Sequence, residues 1–386
     1  MQRFMLSRLF NLVAAIVTLS IAASTQAMVP RAPQVDASSY ILMDANSGQV
    51  IMEYNADEKL PPASLTKMMT AYIVEDELTR GNFTEDDMVP ISVKAWRMGG
   101  SRMFIQEGTQ VSVGDLLKGV VIPSGNDSSV ALAEYIAGSE DAFSDLMNQY
   151  ARRLGMTNTN FTNSTGWPDD DQYSTSRDMA ILARAIILDF PQHYDMYAQK
   201  EFTFNNIRQQ NRNLLLWRDP SVDGLKTGHT RAAGYCLVAS AERDGMRLIS
   251  VVMGTESEAV RARESMKMLN YGFRFFETYT AYNALTELDS ANVWLGKQRD
   301  LALGLAEDLS LTIPRDSHER LQVNITTQPQ LQAPIEQGAE YGTLTVSMDG
   351  DVLVSVPLIA LHAVEPAGII TRMWHHLMMF IKGLFN

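Results

Sequence analysis

The sequence predicts an α+β protein: an antiparallel sheet flanked by helices, with a helical lobe inserted between its strands, then a small all-β domain and a terminal amphipathic helix. Three observations carry this prediction. Strand-like segments at 39–54 and from just before Lys226 to 254 bracket a long block of helical periodicity. Beyond about Thr278 the texture changes to short alternating strands separated by turns. The last 17 or so residues repeat apolar side chains at helical spacing, in a chain whose 386 residues suffice for two domains.

The elements follow in order. Arg3 and Arg8 precede an apolar run over 9–23, and Thr25-Gln26-Ala27 offers the small residues a signal peptidase reads. Residues 1–27 therefore read as a secretory signal peptide cut after Ala27. The rival, an uncleaved anchor, would need a run of ~20 apolar residues. After Pro30 and Pro33, segments 39–44 and 49–54 read as strands joined by a turn at Asn46-Ser47-Gly48. Pro61-Pro62 introduces a helix over 64–78, and further helices are expected near 113–121, 128–137, 142–154 and 176–189. Strands are expected before Lys226 and over 235–241 and 248–254, with a helix over about 257–276. The β-domain strands are expected at 292–295, 309–313, 321–326, 341–348 and 352–357, with Asp349-Gly350 as a hairpin turn. The expected domains are 28–279, 280–363 and a terminal segment 364–386.

In that terminal segment Ile370, Met373, Trp374, Leu377, Ile381 and Leu384 share one helical face. Arg372, His375, His376, Lys382 and Asn386 fall opposite, and no acidic residue follows Glu365. Such a helix suits the plane of a membrane surface. Docking on the protein body is the competing reading; spanning would put Arg372, His375 and His376 in hydrocarbon.

Composition excludes several function classes. The formal charge is −13, and removal of the two leader arginines leaves −15, so the surface lacks the cations that neutralise nucleic-acid phosphates. Cys236 is the only cysteine, which rules out an internal disulfide; its apolar surroundings read as core. The six histidines form no HExxH pattern, and there is no phosphate-cradling loop or dinucleotide fingerprint. An enzyme without cofactor or metal is the expectation.

Three polar motifs in one order carry the chemistry: Ser64-Leu65-Thr66-Lys67, Ser124-Gly125-Asn126 and Lys226-Thr227-Gly228. Three residues apart on a helix, Ser64 and Lys67 share a face, so the amine reaches the hydroxyl. A serine hydroxyl needs a base, and lysine serves only when neutral. At an ordinary pKa of ~10.4 about one lysine in two thousand is neutral at pH 7, a deficit of roughly 4–5 kcal/mol. Burial or a neighbouring cation must therefore lower it, and Lys226 is the expected cation. Ser124 and Asn126, two apart in an extended or turn segment, point the same way, one to pass a proton and one to hold substrate backbone. Lys226 and Thr227 suit a substrate carboxylate. Gly228, without a Cβ, is expected to let substrate backbone lie along the strand. A second S-x-N, Ser290-Ala291-Asn292, lies after the K-T-G and is set aside. Each motif alone arises by chance; their ordered occurrence does not.

Taken with PPASLTKMMTAY, PSGNDSSVALAE, FTNSTGWPDDDQYSTSRDMA, FTFNNIRQQNRN, VDGLKTGHT and NYGFRFFET, the chain resembles the D-alanyl-D-alanine carboxypeptidases among the low-molecular-mass penicillin-binding proteins. The likeness covers nearly the whole chain. It implies the penicillin-binding/β-lactamase-like transpeptidase fold and a penicillin-inhibited enzyme at the periplasmic face of the inner membrane, which removes the terminal D-alanine from peptidoglycan pentapeptide stems. It further implies Ser64 as the acyl-ester nucleophile, Lys67 as general base, Ser124 and Asn126 as relay and clamp, and Lys226 as the substrate-binding cation. Backbone N–H groups of Ser64 and His229 would form the oxyanion hole. Arg212 and Arg261 match arginines near the terminal carboxylate, with Arg263 the alternative to Arg261. Two departures stand out. Ser128-Ser129 replace small apolar residues, and 165–178 lacks the glutamate with which a class A β-lactamase frees itself of penicillin. Rival readings are a D,D-endopeptidase or weak β-lactamase on the same fold, and a non-catalytic muropeptide-binding scaffold.

Overall fold

The computed structural model describes residues 29–385; the expected leader, 1–27, lies outside them. Five strands form the first sheet: β1 (Ser39–Asp44), β2 (Val50–Tyr54), β3 (Val222–Thr230), β4 (Gly234–Arg243) and β5 (Met246–Thr255), in the order β2-β1-β5-β4-β3. All pairs are antiparallel, with Lys226 opposite Val238 and Leu42 opposite Ser250. Strands β4 and β5 are almost wholly buried because both sheet faces are covered. One face packs on the helical lobe, through Ile41, Val238, Val251 and Met253 against residues such as Met69 and Ile186. The other packs on α6 (Glu258–Phe275), through Leu42, Leu237 and Leu248 against Met268, Leu269 and Phe273. Strand β3 is an edge strand, so one side of its backbone is free of strand partners.

The lobe contains α1 (Lys67–Thr79), α2 (Val113–Val121), α3 (Asn126–Ala137), α4 (Glu140–Arg153) and α5 (Ser176–Asp189). Side chains of Ser112, Ser139, Thr175 and Ser257 accept backbone N–H bonds at the starts of α2, α4, α5 and α6. Two differences from the sequence reading bear on the site. Ser64 sits in a 3₁₀ turn, Ala63–Thr66, and the α-helix begins only at Lys67. Asn126 is not in an extended segment but opens α3, after Ser124 in a left-handed turn at φ 65. A hairpin of Glu201–Phe204 with Ile207–Gln210 was not foreseen, being too short and polar to show period-2 patterning.

The chain then forms a β-rich unit. Strand β6 (Phe276–Tyr282) leaves α6 directly and pairs with β9 (Leu309–Pro314). The other strands are β7 (Asp289–Trp294), β8 (Asp300–Gly304), β10 (Leu321–Thr327), β11 (Leu331–Gln332), β12 (Glu340–Met348) and β13 (Asp351–Ala360). They make a sheet of order β10-β12-β13-β8-β7-β11 around Leu301, Leu311, Ile313, Leu344 and Leu358. The unit is tied to the first sheet at Asp44, whose Oδ2 accepts from Thr278 at 2.6 Å and Thr312 at 2.8 Å.

The last helix, α7 (Ile369–Phe385), departs from the expected polar face at one residue. His375 is 3% exposed; its Nδ1 accepts the Leu295 N–H at 2.9 Å and its ring meets Trp294 edge-on. Docking through this polar side leaves the apolar side outward, with Ile370 86%, Phe380 67% and Trp374 57% exposed. Docking and an outward apolar face are thus compatible, where the sequence posed them as alternatives. Among the described residues no helix is long and apolar enough to cross a membrane.

Candidate active site

The three motifs converge on one cleft of about 360 Å³, whose lining includes Ser64, Ser124, Thr227, Gly228, His229, Arg212, Tyr235 and Arg261. The turn Ala63–Thr66 is held by its surroundings. Gly166, at φ +82, lies so close that a Cβ there would stand 1.8 Å from the Ala63 carbonyl oxygen. Gly228 lines the cleft and is also closely packed from behind, since a Cβ would lie 3.0 Å from Pro62 O.

Lys67 is fully buried, and its Nζ lies 3.2 Å from Ser64 Oγ. It donates to Asn126 Oδ1 at 2.7 Å and to Thr165 O at 2.6 Å. Both acceptors lack a proton to give, and the Asn126 amide is oriented by its own donation to Gly99 O at 2.7 Å. A neutral amine has two N–H groups and one lone pair. In the neutral amine those two N–H groups are spoken for by Asn126 and Thr165, which leaves the lone pair for the Ser64 hydroxyl. Burial, first, and then the Arg212 guanidinium push Lys67 down to about 7, against the pull of Asp127 and Glu140. The expected cation, Lys226, is therefore replaced by Arg212. The physical reason is that Lys226 is itself buried; burial, then Lys67, Arg212 and Arg261, hold it far below the lysine range. Two desolvated amines in one cleft cannot both stay charged, whereas an exposed guanidinium keeps its charge.

Lys226 Nζ donates to Ser124 Oγ at 2.8 Å and to Thr227 O at 3.1 Å. Ser124 and Asn126 thus serve different amines. Arg261, almost fully buried, donates to Gly228 O at 3.3 Å and lies over the Tyr235 ring, which stacks on His229. Its alternative, Arg263, is turned away and pairs with Glu264 at 2.8 Å.

Sequence reasoning missed three contributors. Asp127 is buried and accepts backbone N–H bonds from Met103, Phe104, Ile105 and Ser128, which shapes the loop beside the cleft. Glu140 accepts from Ser164 N and Oγ, and so fixes the strand of chain whose Thr165 carbonyl meets Lys67. Asp127 directly follows the S-G-N motif and could have been suspected; a backbone carbonyl such as that of Thr165 leaves no side-chain signal. Cys236 is buried on β4, as expected, with its thiol pushed up to about 11 by burial. Among the described residues no group of three or more His, Cys, Asp or Glu is placed to hold a metal ion.

Comparison with known proteins gives the same picture. Residues 26–257 match the D-alanyl-D-alanine carboxypeptidase family model, and residues 276–366 match that of the penicillin-binding protein 5 C-terminal domain. The chain is 48% identical over 363 residues to D-alanyl-D-alanine carboxypeptidase DacC of Escherichia coli (strain K12), covering 92% of this chain and 91% of that one. It is 45% identical to DacA of the same organism, covering 93% and 90%. Penicillin-binding protein 5 from Haemophilus influenzae superposes with a TM-score of 0.84 at 44% identity, covering 87% of this chain and 99% of that one. With this fold, this cleft and that extent of identity, the chain belongs to the D-alanyl-D-alanine carboxypeptidase family of serine peptidases.

Proposed function

We propose that Ser64 is the nucleophile and Lys67 the base with which this D-alanyl-D-alanine carboxypeptidase removes the terminal D-alanine from peptidoglycan pentapeptide stems. One observation carries the reading: a buried amine pushed down to about 7 lies 3.2 Å from Ser64 Oγ. Lys67 takes the Ser64 proton as Oγ attacks the carbonyl carbon of the penultimate D-alanine. The oxyanion forms against the backbone N–H groups of Ser64 and His229. The scissile C–N bond then breaks, and the departing amine takes the proton that Lys67 removed from Ser64, passed on by way of the Ser124 hydroxyl, which Lys226 holds at 2.8 Å; Lys67 is thereby neutral again. Water attacks the ester carbonyl carbon as neutral Lys67 takes its proton, the C–Oγ bond breaks, and that proton passes from Lys67 to Ser64 Oγ. Arg212 and Arg261 hold the terminal carboxylate, whose charge restores that of Lys226.

Penicillins acylate the same serine. The carboxylates near it, Asp127 and Glu140, are engaged by backbone and side-chain donors, which favours a long-lived penicilloyl ester over lactamase turnover. The leader exports the chain to the periplasm, residues 28–279 form the catalytic domain and 280–363 the β-domain. The outward apolar face of α7 holds the enzyme at the inner-membrane surface. The test is Ser64→Ala, which should abolish both D-alanine release from diacetyl-Lys-D-Ala-D-Ala and covalent labelling by fluorescent penicillin. Retained labelling would show that another residue is the nucleophile.

A further inference from the structure

One charge in the cleft has no part in the chemistry above. Glu258, the first residue of α6, is the only acidic side chain among the described residues that line the cleft, and its Oε1 stands 3.6 Å from Arg261 Nη2. The two side chains differ in freedom: that of Arg261 is 4% exposed, that of Glu258 58%. Arg261 is held on its other sides. Its Nη1 donates to Gly228 O at 3.3 Å, its Nη2 donates to Arg212 O at 3.5 Å, and its guanidinium carbon lies 5.6 Å from the centre of the Tyr235 ring. The cation is thus fixed in place, while the carboxylate beside it is borne on a side chain that reaches solvent. An acid in the first turn of α6, after the Ser257 cap, suits the helix dipole. The dipole accounts for the acid in that turn but does not require it to meet a cation of the cleft.

That meeting has an electrostatic reason. Burial, first, holds Arg261 below the usual arginine range, and Arg212 adds to this, while Glu258 pulls the other way. In the empty cleft Glu258 therefore supplies a counter-charge where two guanidinium groups lie close together. A substrate that brings its own carboxylate to Arg212 and Arg261 puts a second negative charge beside the first, and the two repel. Of the two carboxylates at Arg261, the solvent-exposed one yields at the lower cost.

We propose that Glu258 is a specificity-determining residue, a placeholder carboxylate that occupies Arg261 in the free enzyme and is displaced by the terminal carboxylate of the substrate. A ligand without that carboxylate neither displaces Glu258 nor is repelled by it. Glu258 thus sets how far the enzyme prefers an acid over its neutral counterpart, and it keeps that preference below what the two arginines alone would give. The inference deepens the Ser64 reading and rests on it, and on Arg212 and Arg261 as the holders of the carboxylate.

The experiment follows single-turnover acylation by benzylpenicillin and by its methyl ester, which lacks the carboxylate charge. The ratio of their second-order acylation constants is read, because a ratio cancels any loss of folded enzyme in a variant. Glu258→Gln should raise the acid-over-ester ratio about three- to fivefold at low salt, and less at high salt. The gain should lie in the half-saturating concentration of the acid and not in its limiting rate, a split that altered helix packing would not produce. Arg212→Gln should lower the same ratio. A rise of less than twofold in Glu258→Gln, or a fall, would overturn the proposal, as would an Arg212→Gln ratio equal to that of the unaltered enzyme. Peptide mass mapping of the label separates this outcome from the parent reading. A raised ratio with the label on a residue other than Ser64 leaves Glu258 in its role and removes Ser64 as nucleophile, whereas an unchanged ratio with the label on Ser64 does the reverse.

Discussion

Raising the pH from 5 to 9 should switch the enzyme on through one amine. A lysine at its ordinary value of 10.5 would be neutral in about one molecule in three thousand at pH 7, while one at about 7 is neutral in half of them. The difference is worth about 4 kcal/mol of barrier, supplied by burial and Arg212 before any substrate binds. The assay is single-turnover acylation of Ser64 by a fluorescent penicillin at saturating and subsaturating concentrations. Below the midpoint the acylation constant should rise about tenfold per pH unit, since the neutral base is the lesser form there, and it should level off above pH 7–8. Because Lys67 and Lys226 repel each other, the midpoint belongs to the coupled pair. Arg212→Gln should move it upward, as a cation is lost, yet leave it well short of 10.5 because burial, the larger cause, remains. A midpoint above 9, or one that Arg212→Gln lowers, would refute the argument that Lys67 acts as a neutral base.

Three further outcomes follow from contacts already described. Gly166→Ala drives a Cβ into the Ala63 carbonyl at an unfavourable φ, and should cost about 3 kcal/mol or more in chemical denaturation while slowing acylation; a neutral result would mean that the Ser64 turn is not braced there. Asp127→Ala strands buried backbone donors at Met103 and Ile105, and should cost about 3–5 kcal/mol, with faster proteolysis of the 100–105 loop. Unchanged proteolysis would show the loop to be held by other means. Deletion of residues 369–386 should leave D-alanine release intact and abolish sedimentation with anionic lipid vesicles; a truncated chain that still sediments would remove α7 from the anchor role.

Much of the architecture was legible because strand and helix periods are local properties. Segments 39–44, 113–121 and 176–189 appear at the expected residues, since each buries a face whose pattern the chain carries within a dozen positions. The three motifs were legible for a similar reason: serine, lysine and asparagine at those spacings are recognisable chemistry wherever they lie. Their division of labour was not. That Asn126 serves Lys67 while Ser124 serves Lys226 depends on the left-handed backbone at Ser124 and on α1, α3 and β3, which are far apart in sequence. Arg261 could be separated from Arg263 only once α6 showed which of them turns toward β4.

The identity of the proposed reacting groups was thus a matter of covalent sequence, but the protonation state of the proposed base was not. Lys67 loses most of its affinity for a proton because α1, α3 and the Thr165 segment close around it and Arg212 lies nearby. Desolvation and Coulomb repulsion act through space, between residues up to 145 positions apart, and such distances exist only in the folded chain.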